Sequence, residues 1–271
     1  HSLQYLKKTI IKINNLLGLI GFSPIVFIKS IVGIPFFLRD LFIFNKQLNS
    51  TKSKWRLTNI WPILDERFNS SGTAKGHYFH QDLLVARKIF INSPKKHVDI
   101  GSRVDGFVAH VASFREIEVV DIRAADSFIP NIVFLQEDMM KPIPENLIGY
   151  CDSLSALHSV EHFGLGRYND PIRYDGYRIG LDNINKMLKI GGKLYFSVPI
   201  GKQRIEFNAH RIFSVSYLVK LFKEKYDINS FSYVNDNGTL CENVALNDER
   251  IHYNFNCSYG CGIFEMTRIE K

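Results

Sequence analysis

HVDIGSRVDG, residues 97–106, joins a short apolar run to a glycine turn and then to a segment that resumes as a helix. The same succession repeats downstream. Apolar runs at 97–100, 117–122, 132–136, 151–158 and 192–199 alternate with helical segments near 104–114, 176–189 and 214–225. Strands separated by helices predict a parallel sheet covered on both faces, an α/β architecture. Upstream, HYFHQDLLVARKIF spaces Leu83, Leu84, Ala86, Ile89 and Phe90 as a helix does and stops before Asn92-Ser93-Pro94. After Phe231 the pattern turns strand-rich and ends in GCGIFEMTRIEK, a run suited to closing the sheet with an antiparallel edge.

In open sheets of this class ligands bind beyond the carboxyl ends of the strands. Asp99, Gly101 and Ser102 follow the first run, and a glycine there lets the backbone approach a ligand. Asp121, with Ile122 behind it, ends the second run twenty residues beyond Gly101, where a carboxylate can accept from both hydroxyls of a ribose. Glu137, Asp138 and Met139 follow the third, and Asp138 can accept from the exocyclic amine of an adenine. The order describes an adenosine pocket. The G-x-G-x-x-G that seats a pyrophosphate is absent, since the chain reads Gly101-Ser102-Arg103-Val104-Asp105-Gly106. S-adenosylmethionine has no phosphate, and its sulfonium tolerates carboxylates.

The succession HVDIGSRVDG, EVVDIR, FLQEDMM, SLSALHSVEH and LKIGGKLYFSVP resembles the class I S-adenosylmethionine-dependent methyltransferases. HYFHQD, DIGSRVDGFVAHV, EHFGLGRYNDPI and FNAHRIFS are similar to a bacterial family of methyltransferase-like proteins described only as a domain of unknown function. The likeness covers roughly residues 55–225. It implies a Rossmann-like, mostly parallel seven-stranded sheet with helices on both faces and an N-terminal helical extension. It also implies cofactor contacts through Asp99, Gly101, Ser102, Asp121, Ile122, Asp138 and Met139.

LHSVEHFGLGRY, residues 157–168, carries His158-x-x-Glu161-His162. As an inverted zinc-protease motif it would place both histidines on one helix face, which makes a zinc hydrolase the third functional reading. Some class I O-methyltransferases, among them ubiquinone-biosynthesis and small-RNA 2′-O-methylating enzymes, carry a similar Glu-x-x-Glu-His run that binds a divalent cation. The small-RNA enzymes add a histidine after the fifth strand. That resemblance implies a metal set of His158, Glu161, His162 and His210, with His158 replacing the family's glutamate. Three imidazoles and one carboxylate would favour Zn, Mn or Fe over Mg. Without a metal, His158 or His210, with Glu161, would serve as catalytic base; the alternative is that the stretch caps and braces the turn.

Arg167, Tyr168, Asp170 and Arg173 follow the fourth strand, where acceptor sites form in such folds, and Lys202, Arg204 and Arg211 follow the fifth as candidate phosphate ligands. His77, His80 and Asp82 are candidates for the cofactor mouth. The expected activity is O-methylation of a small, anionic or sugar-linked acceptor, and the family resemblance points to bacterial surface-polysaccharide biosynthesis. The competing reading is a non-catalytic S-adenosylmethionine-binding or membrane-associated subunit.

The chain has 271 residues, 45% apolar and 23% charged, with no repeat or low-complexity tract, the make-up of an ordered globular protein. Of its net +7, residues 1–46 hold +5, from six basic residues against Asp40, which leaves +2 for the rest. That distribution disfavours a nucleic-acid groove. The basic end is also apolar, yet its longest uncharged stretch, Ile13–Ile28, is sixteen residues, short of the ~20 that a spanning helix needs. It lacks a signal-peptide cleavage pattern. The expectations are an extension over 1–50 for packing, homodimerisation or membrane-surface contact, a lead-in and lid over 51–95, and a methyltransferase domain over 96–271. Four cysteines in a chain of this length are no disulfide framework. Cytoplasmic placement, at most at the inner membrane face, follows, with Cys241, Cys257 and Cys261 read as free thiols ahead of a zinc triad.

Overall fold

The computed structural model describes residues 10, 13–14, 16–51, 54–69, 72, 74–123, 128–247 and 249–270. Lys7, Lys8 and Lys12 of the basic run lie outside the described residues. The chain divides into two compact units, residues 1–73 and 74–271.

In the first unit, α1 (Pro24–Ser50) begins where Ser23 accepts a hydrogen bond from the Val26 amide and Pro24 fills the first turn, whose amides have no helical partner. Gly33 is its buried residue; a Cβ there would stand 2.0 Å from the Leu64 carbonyl oxygen, so only glycine lets that segment pass. Asp40 ties the two through Arg67 at 2.6 Å. Phe27, Ile31, Leu38 and Phe42 are exposed. Among the described residues no helix is long and apolar enough to cross a membrane.

The second unit is a Rossmann-like α/β fold of the class I methyltransferase type. Strands β1 (His97–Ile100), β2 (Ile117–Asp121), β3 (Ile132–Gln136), β4 (Cys151–Leu157) and β5 (Leu188–Ile200) pair in parallel. Two short strands, β6 (Arg204–Glu206) and β7 (His210–Ile212), form a separate hairpin. β8 (Tyr226–Val234), β9 (Leu240–Cys241) and β10 (Gly260–Arg268) complete the main sheet in the order β3-β2-β1-β4-β5-β10-β8-β9. The expected antiparallel closure is β10, which inserts between β5 and β8 rather than forming the edge. Seven strands match the expected sheet, and the two-residue β9 is the eighth.

Strand alternation makes the two faces unlike. Val98, Ile100, Leu154, Ala156, Phe196 and Val198 enter one apolar layer. Their neighbours His97, Asp99, Ser153, Ser155 and Ser197 point to the other face and are also buried. Helix α2 (His77–Asn92) covers that polar seam and packs Leu84, Val85 and Ile89 into the second apolar cluster. Its buried stripe includes Gln81 and Asp82, while Leu83 and Phe90, part of the helical apolar spacing, are exposed. The reason is hydrogen bonding: Gln81 Oε1 accepts from Ser197 at 2.6 Å, so a polar side chain outcompetes leucine for the seam.

After β1 the chain makes a π turn over Val104–Val108 and a short α3 (Ala109–Ala112). Gly106 permits this, because a Cβ would stand 2.9 Å from Asp82 Oδ2. Helices α4 (Gly176–Met187) and α5 (Val215–Phe222) flank β5 and β8, as the apolar spacing predicts.

Candidate functional site

A cleft of about 650 Å³ opens at the carboxyl ends of β1 to β4. Gly101 forms its floor with φ +70°, and its amide bonds the Val120 carbonyl at 2.9 Å, joining the loop to β2. A side chain at Gly101 would be strained by that angle and would press on Ser159 Cβ at 3.3 Å. Gly101, Ser102, Asp121, Ile122, Asp138 and Met139, expected at the cofactor, all line the cleft.

Asp99 does not. It is fully buried beneath the loop and accepts from the Ser102 amide (2.8 Å), the Ser102 hydroxyl (2.7 Å) and the Ser155 hydroxyl. Burial pushes its pKa up to about 6, against those hydrogen bonds. Its geometry makes it the post on which Gly101 and Ser102 are set. Ser155 has one hydroxyl proton, given to Asp99, so its contact with His97 Nε2 at 3.1 Å requires an N–H there. His97 Nδ1 then accepts from Ser153 at 2.8 Å. Burial, with Arg115 nearby, holds the His97 pKa down to about 3.

At the second strand Asp121 receives Arg123 at 2.6 and 2.9 Å, and the guanidinium also lies 4.8 Å over the Tyr168 ring. Arg123 therefore covers the carboxylate that a ribose would use. Asp138 Oδ1 accepts from the Met140 amide at 2.9 Å, which fixes the carboxylate at the cleft wall. Tyr78, which lines the cleft from α2, and Arg123 lie within the runs HYFHQD and EVVDIR, but sequence reasoning assigns neither a role.

The expected metal quartet does not assemble. His158 has φ +50° and Val160–His162 form a 3-10 turn, so the two histidines do not share an α-helical face, and the protease geometry fails. His158 Nδ1 meets Glu161 Oε1 at 2.7 Å. Burial alone would lower the His158 pKa, but Cys261 and Glu161 beside it hold it well above the usual value. That makes His158 a poor base. His162 Nδ1 donates to the Ala209 carbonyl at 2.6 Å, leaving Nε2 with a lone pair; burial holds this histidine's pKa down, and it lines the cleft. His210 lies outside the lining, 5.1 Å from the Tyr259 ring, with Nε2 3.1 Å from Glu206 Oε2 but out of line for a hydrogen bond. It neither joins a metal set nor reaches the cleft as a base.

Of the expected acceptor residues, Arg167, Tyr168 and Asp170 line the cleft. Asp170 folds the loop by accepting from the amides of Gly164, Gly166 and Tyr168. Arg173 bonds Asp175. Two of the three phosphate candidates are engaged within the fold: Arg204 donates to Glu206 and to the carbonyls of Lys202 and Ser258. Arg211 is buried and donates to the carbonyls of Glu161, Phe163 and Tyr174. These donors are engaged because β6, β7 and the loop after β4 fold against them. His80 bonds the Gly238 carbonyl at 3.1 Å, and Asp82 is buried, its pKa raised by burial to about 6; neither lines the cleft. His77 stacks on His158 at 5.2 Å.

Comparison with known proteins agrees with the fold. The 1,6-didemethyltoxoflavin-N1-methyltransferase of Burkholderia thailandensis, solved with 1,6-didemethyltoxoflavin and S-adenosylhomocysteine, is 11% identical over 70% of this chain and 79% of its own, with a TM-score of 0.50. The cyclase SpnF is 13% identical over 71% of this chain and 82% of its own, also at 0.50. At such identities the likeness shows the fold alone, and a cyclase among the neighbours illustrates that one fold hosts several reactions. No curated protein matches the chain. The family model that does match is described as "Caenorhabditis protein of unknown function, DUF268"; that description names no activity and does not carry the expected bacterial origin. Its match runs over residues 104–259, more than half of the chain and including the cleft's fourth-strand loop, and the protein belongs to this family.

Proposed function

We propose that the protein transfers a methyl group from S-adenosylmethionine to an oxygen of a small acceptor. The observation that carries the reading is the cleft itself, in which Gly101 in the left-handed conformation, Asp121 and Asp138 stand at the ends of three successive parallel strands. Asp121 would hold the ribose hydroxyls once Arg123 swings aside, and Asp138 the adenine amine. S-adenosylmethionine supplies an electrophilic methyl on sulfur. His162 replaces the expected His158 and His210 as base, because its Nε2 is the unprotonated nitrogen at the cleft. His162 Nε2 would take the proton of the acceptor hydroxyl, whose oxygen would receive the methyl that bound S-adenosylmethionine supplies. Arg167, over Tyr168 at 5.3 Å, supports an acceptor with an anionic or hydrogen-bonding group. A sugar-linked acceptor of surface-polysaccharide synthesis rests on family resemblance alone.

Calorimetry with S-adenosylhomocysteine tests the pocket. Asp138→Ala and Asp121→Ala should each weaken binding about 10-fold, the loss of charged hydrogen bonds worth about 1.4 kcal/mol. His162→Gln should bind normally and transfer methyl to whichever acceptor a screen finds about 100-fold more slowly or worse. Wild-type protein that binds neither S-adenosylmethionine nor its product would refute the assignment.

The exposed apolar side chains of α1 favour a second role for the first unit, contact with a second copy of the chain or with a membrane surface. A homodimer through residues 1–50 should persist at micromolar concentration in sedimentation and be lost on Phe27→Glu with Leu38→Glu. A monomer that instead floats with anionic vesicles would assign the face to lipid; a monomer that ignores vesicles would discard both.

A further inference from the structure

One nitrogen of His77, one nitrogen of His158 and the sulfur of Cys261 lie within 4.8 Å of one another, at the junction of the first turn of α2, the end of β4 and the start of β10. His158 and Cys261 are buried and His77 is half-buried. The hydrogen bonds show how each ligand atom is engaged, and the Cys261 thiol donates to Gln81 Oε1 at 3.7 Å, a contact that a thiolate bound to metal would give up. His158 Nδ1 is held by the Glu161 carboxylate at 2.7 Å, and its Nε2 is buried without a hydrogen-bond partner. His77 makes its own bond to the backbone of Tyr259, two residues before Cys261. Both imidazoles are thus oriented through one nitrogen by an oxygen acceptor, which is how protein scaffolds dress histidine ligands so that the second nitrogen faces an ion.

We infer that His77, His158 and Cys261 form a zinc site, with Glu161 and the Tyr259 backbone as its orienting outer shell. Two imidazoles and a thiolate are soft to borderline donors with no hard oxygen among them, which fits Zn²⁺, shares its donor set with copper sites, and disfavours Mg²⁺ and Ca²⁺. Bonds of about 2.0 Å to nitrogen and about 2.3 Å to sulfur place tetrahedral ligand atoms roughly 3.3–3.5 Å apart, so the three, within 4.8 Å, need close by no more than about 1.5 Å. Rotation of the half-buried His77 can close its own two separations, and the His158 and Cys261 side chains are already close enough to interact. A three-ligand zinc retains a fourth position for water or substrate, and His158 borders the cleft. The set shares only His158 with the metal quartet expected from Glu-x-x-Glu-His enzymes, and it uses Glu161 as an orienting group instead of a ligand. It stands independently of the methyl-transfer reading.

The test uses the metal alone. The purified full chain, stripped with chelator, is titrated with Co²⁺ and then Zn²⁺. The expected result is a near-ultraviolet sulfur-to-cobalt charge-transfer band with intense tetrahedral d–d bands, saturating at one equivalent and bleached by Zn²⁺. Cys261→Ser should lose the charge-transfer band. His77→Asn should weaken Zn²⁺ affinity at least 100-fold in competition with a chromophoric chelator, and Glu161→Gln about 10- to 100-fold. His210→Ala should change nothing. The inference is overturned if wild-type protein shows no thiolate band, if Cys261→Ser retains it, or if His210→Ala abolishes binding that Cys261→Ser keeps. A Cys261 thiol that alkylates readily at an unchanged rate with Zn²⁺ present is a fourth contrary outcome. The wild-type titration needs no variant to fold.

Discussion

Arg211→Met should lower the unfolding free energy by about 3 kcal/mol. Arg211 is 4% exposed and its guanidinium donates to three carbonyls, of Glu161 at 3.3 Å, Phe163 at 2.6 Å and Tyr174 at 2.9 Å. Methionine keeps much of the aliphatic stem, so the loss is chiefly that of charged hydrogen bonds and of carbonyls left unsatisfied where water is excluded. Lysine should not rescue, since one ammonium cannot reproduce the planar fork that reaches residues thirteen positions apart. Because those carbonyls bracket the turn carrying His162, Arg167 and Tyr168, the acceptor side of the cleft should loosen as well. Urea unfolding checks the stability. Had Arg211 been the phosphate ligand suggested by its place after β5, its removal would leave stability within about 0.5 kcal/mol and change only affinity. An unchanged urea midpoint would return it to that role.

Arg211 also shows what the sequence could and could not tell. The parallel half of the sheet was legible because β1, β2 and β4 are buried on both faces and stand out, with the partly exposed β3 and β5, as apolar runs between helices. The cleft residues after β1 to β3 were legible because this topology confines ligand contacts to strand ends, so Gly101, Asp121 and Asp138 needed only a strand before them. Arg211 follows a strand too, but whether a basic side chain faces a ligand or a carbonyl depends on how the chain returns. The return here is the β6–β7 hairpin, which points Arg211 inward. His158 carried a recognisable motif whose meaning depended on its left-handed backbone and on Cys261, 103 positions away and itself read as an idle thiol. Gln81 and Asp82 interrupt an apolar helical stripe for a reason that lies in β5, at Ser197. Local pattern encodes burial well and the identity of a distant partner not at all.

Between pH 7 and pH 5 the wild type should lose about 2 kcal/mol of stability relative to His97→Gln. In the folded protein His97 accepts from Ser153 and donates to Ser155, whose own proton is committed to Asp99. Burial in the seam penalises the imidazolium and nearby Arg115 repels it, so the folded pKa falls to about 3 from the ordinary 6.5. Below 6.5 the unfolded chain takes up a proton that the folded chain refuses, so stability falls with pH, and the fall continues until folded His97 titrates near 3. At pH 5 the gap corresponds to about 1.5 pKa units, or about 2 kcal/mol. Asp82 and Asp99 work in the opposite sense. With folded values near 6 against an ordinary 3.8, they retain protons that the unfolded chain has released, which adds stability as pH falls through about 6 to 4. The wild-type slope alone is therefore a difference of opposed contributions. The His97→Gln comparison removes only the imidazole and keeps a side chain able to bond both serines. Equal slopes in the two proteins, measured by urea unfolding at both pH values, would mean that His97 is not held neutral and that the Ser153–His97–Ser155–Asp99 chain does not carry the proton order that sets the Gly101 loop.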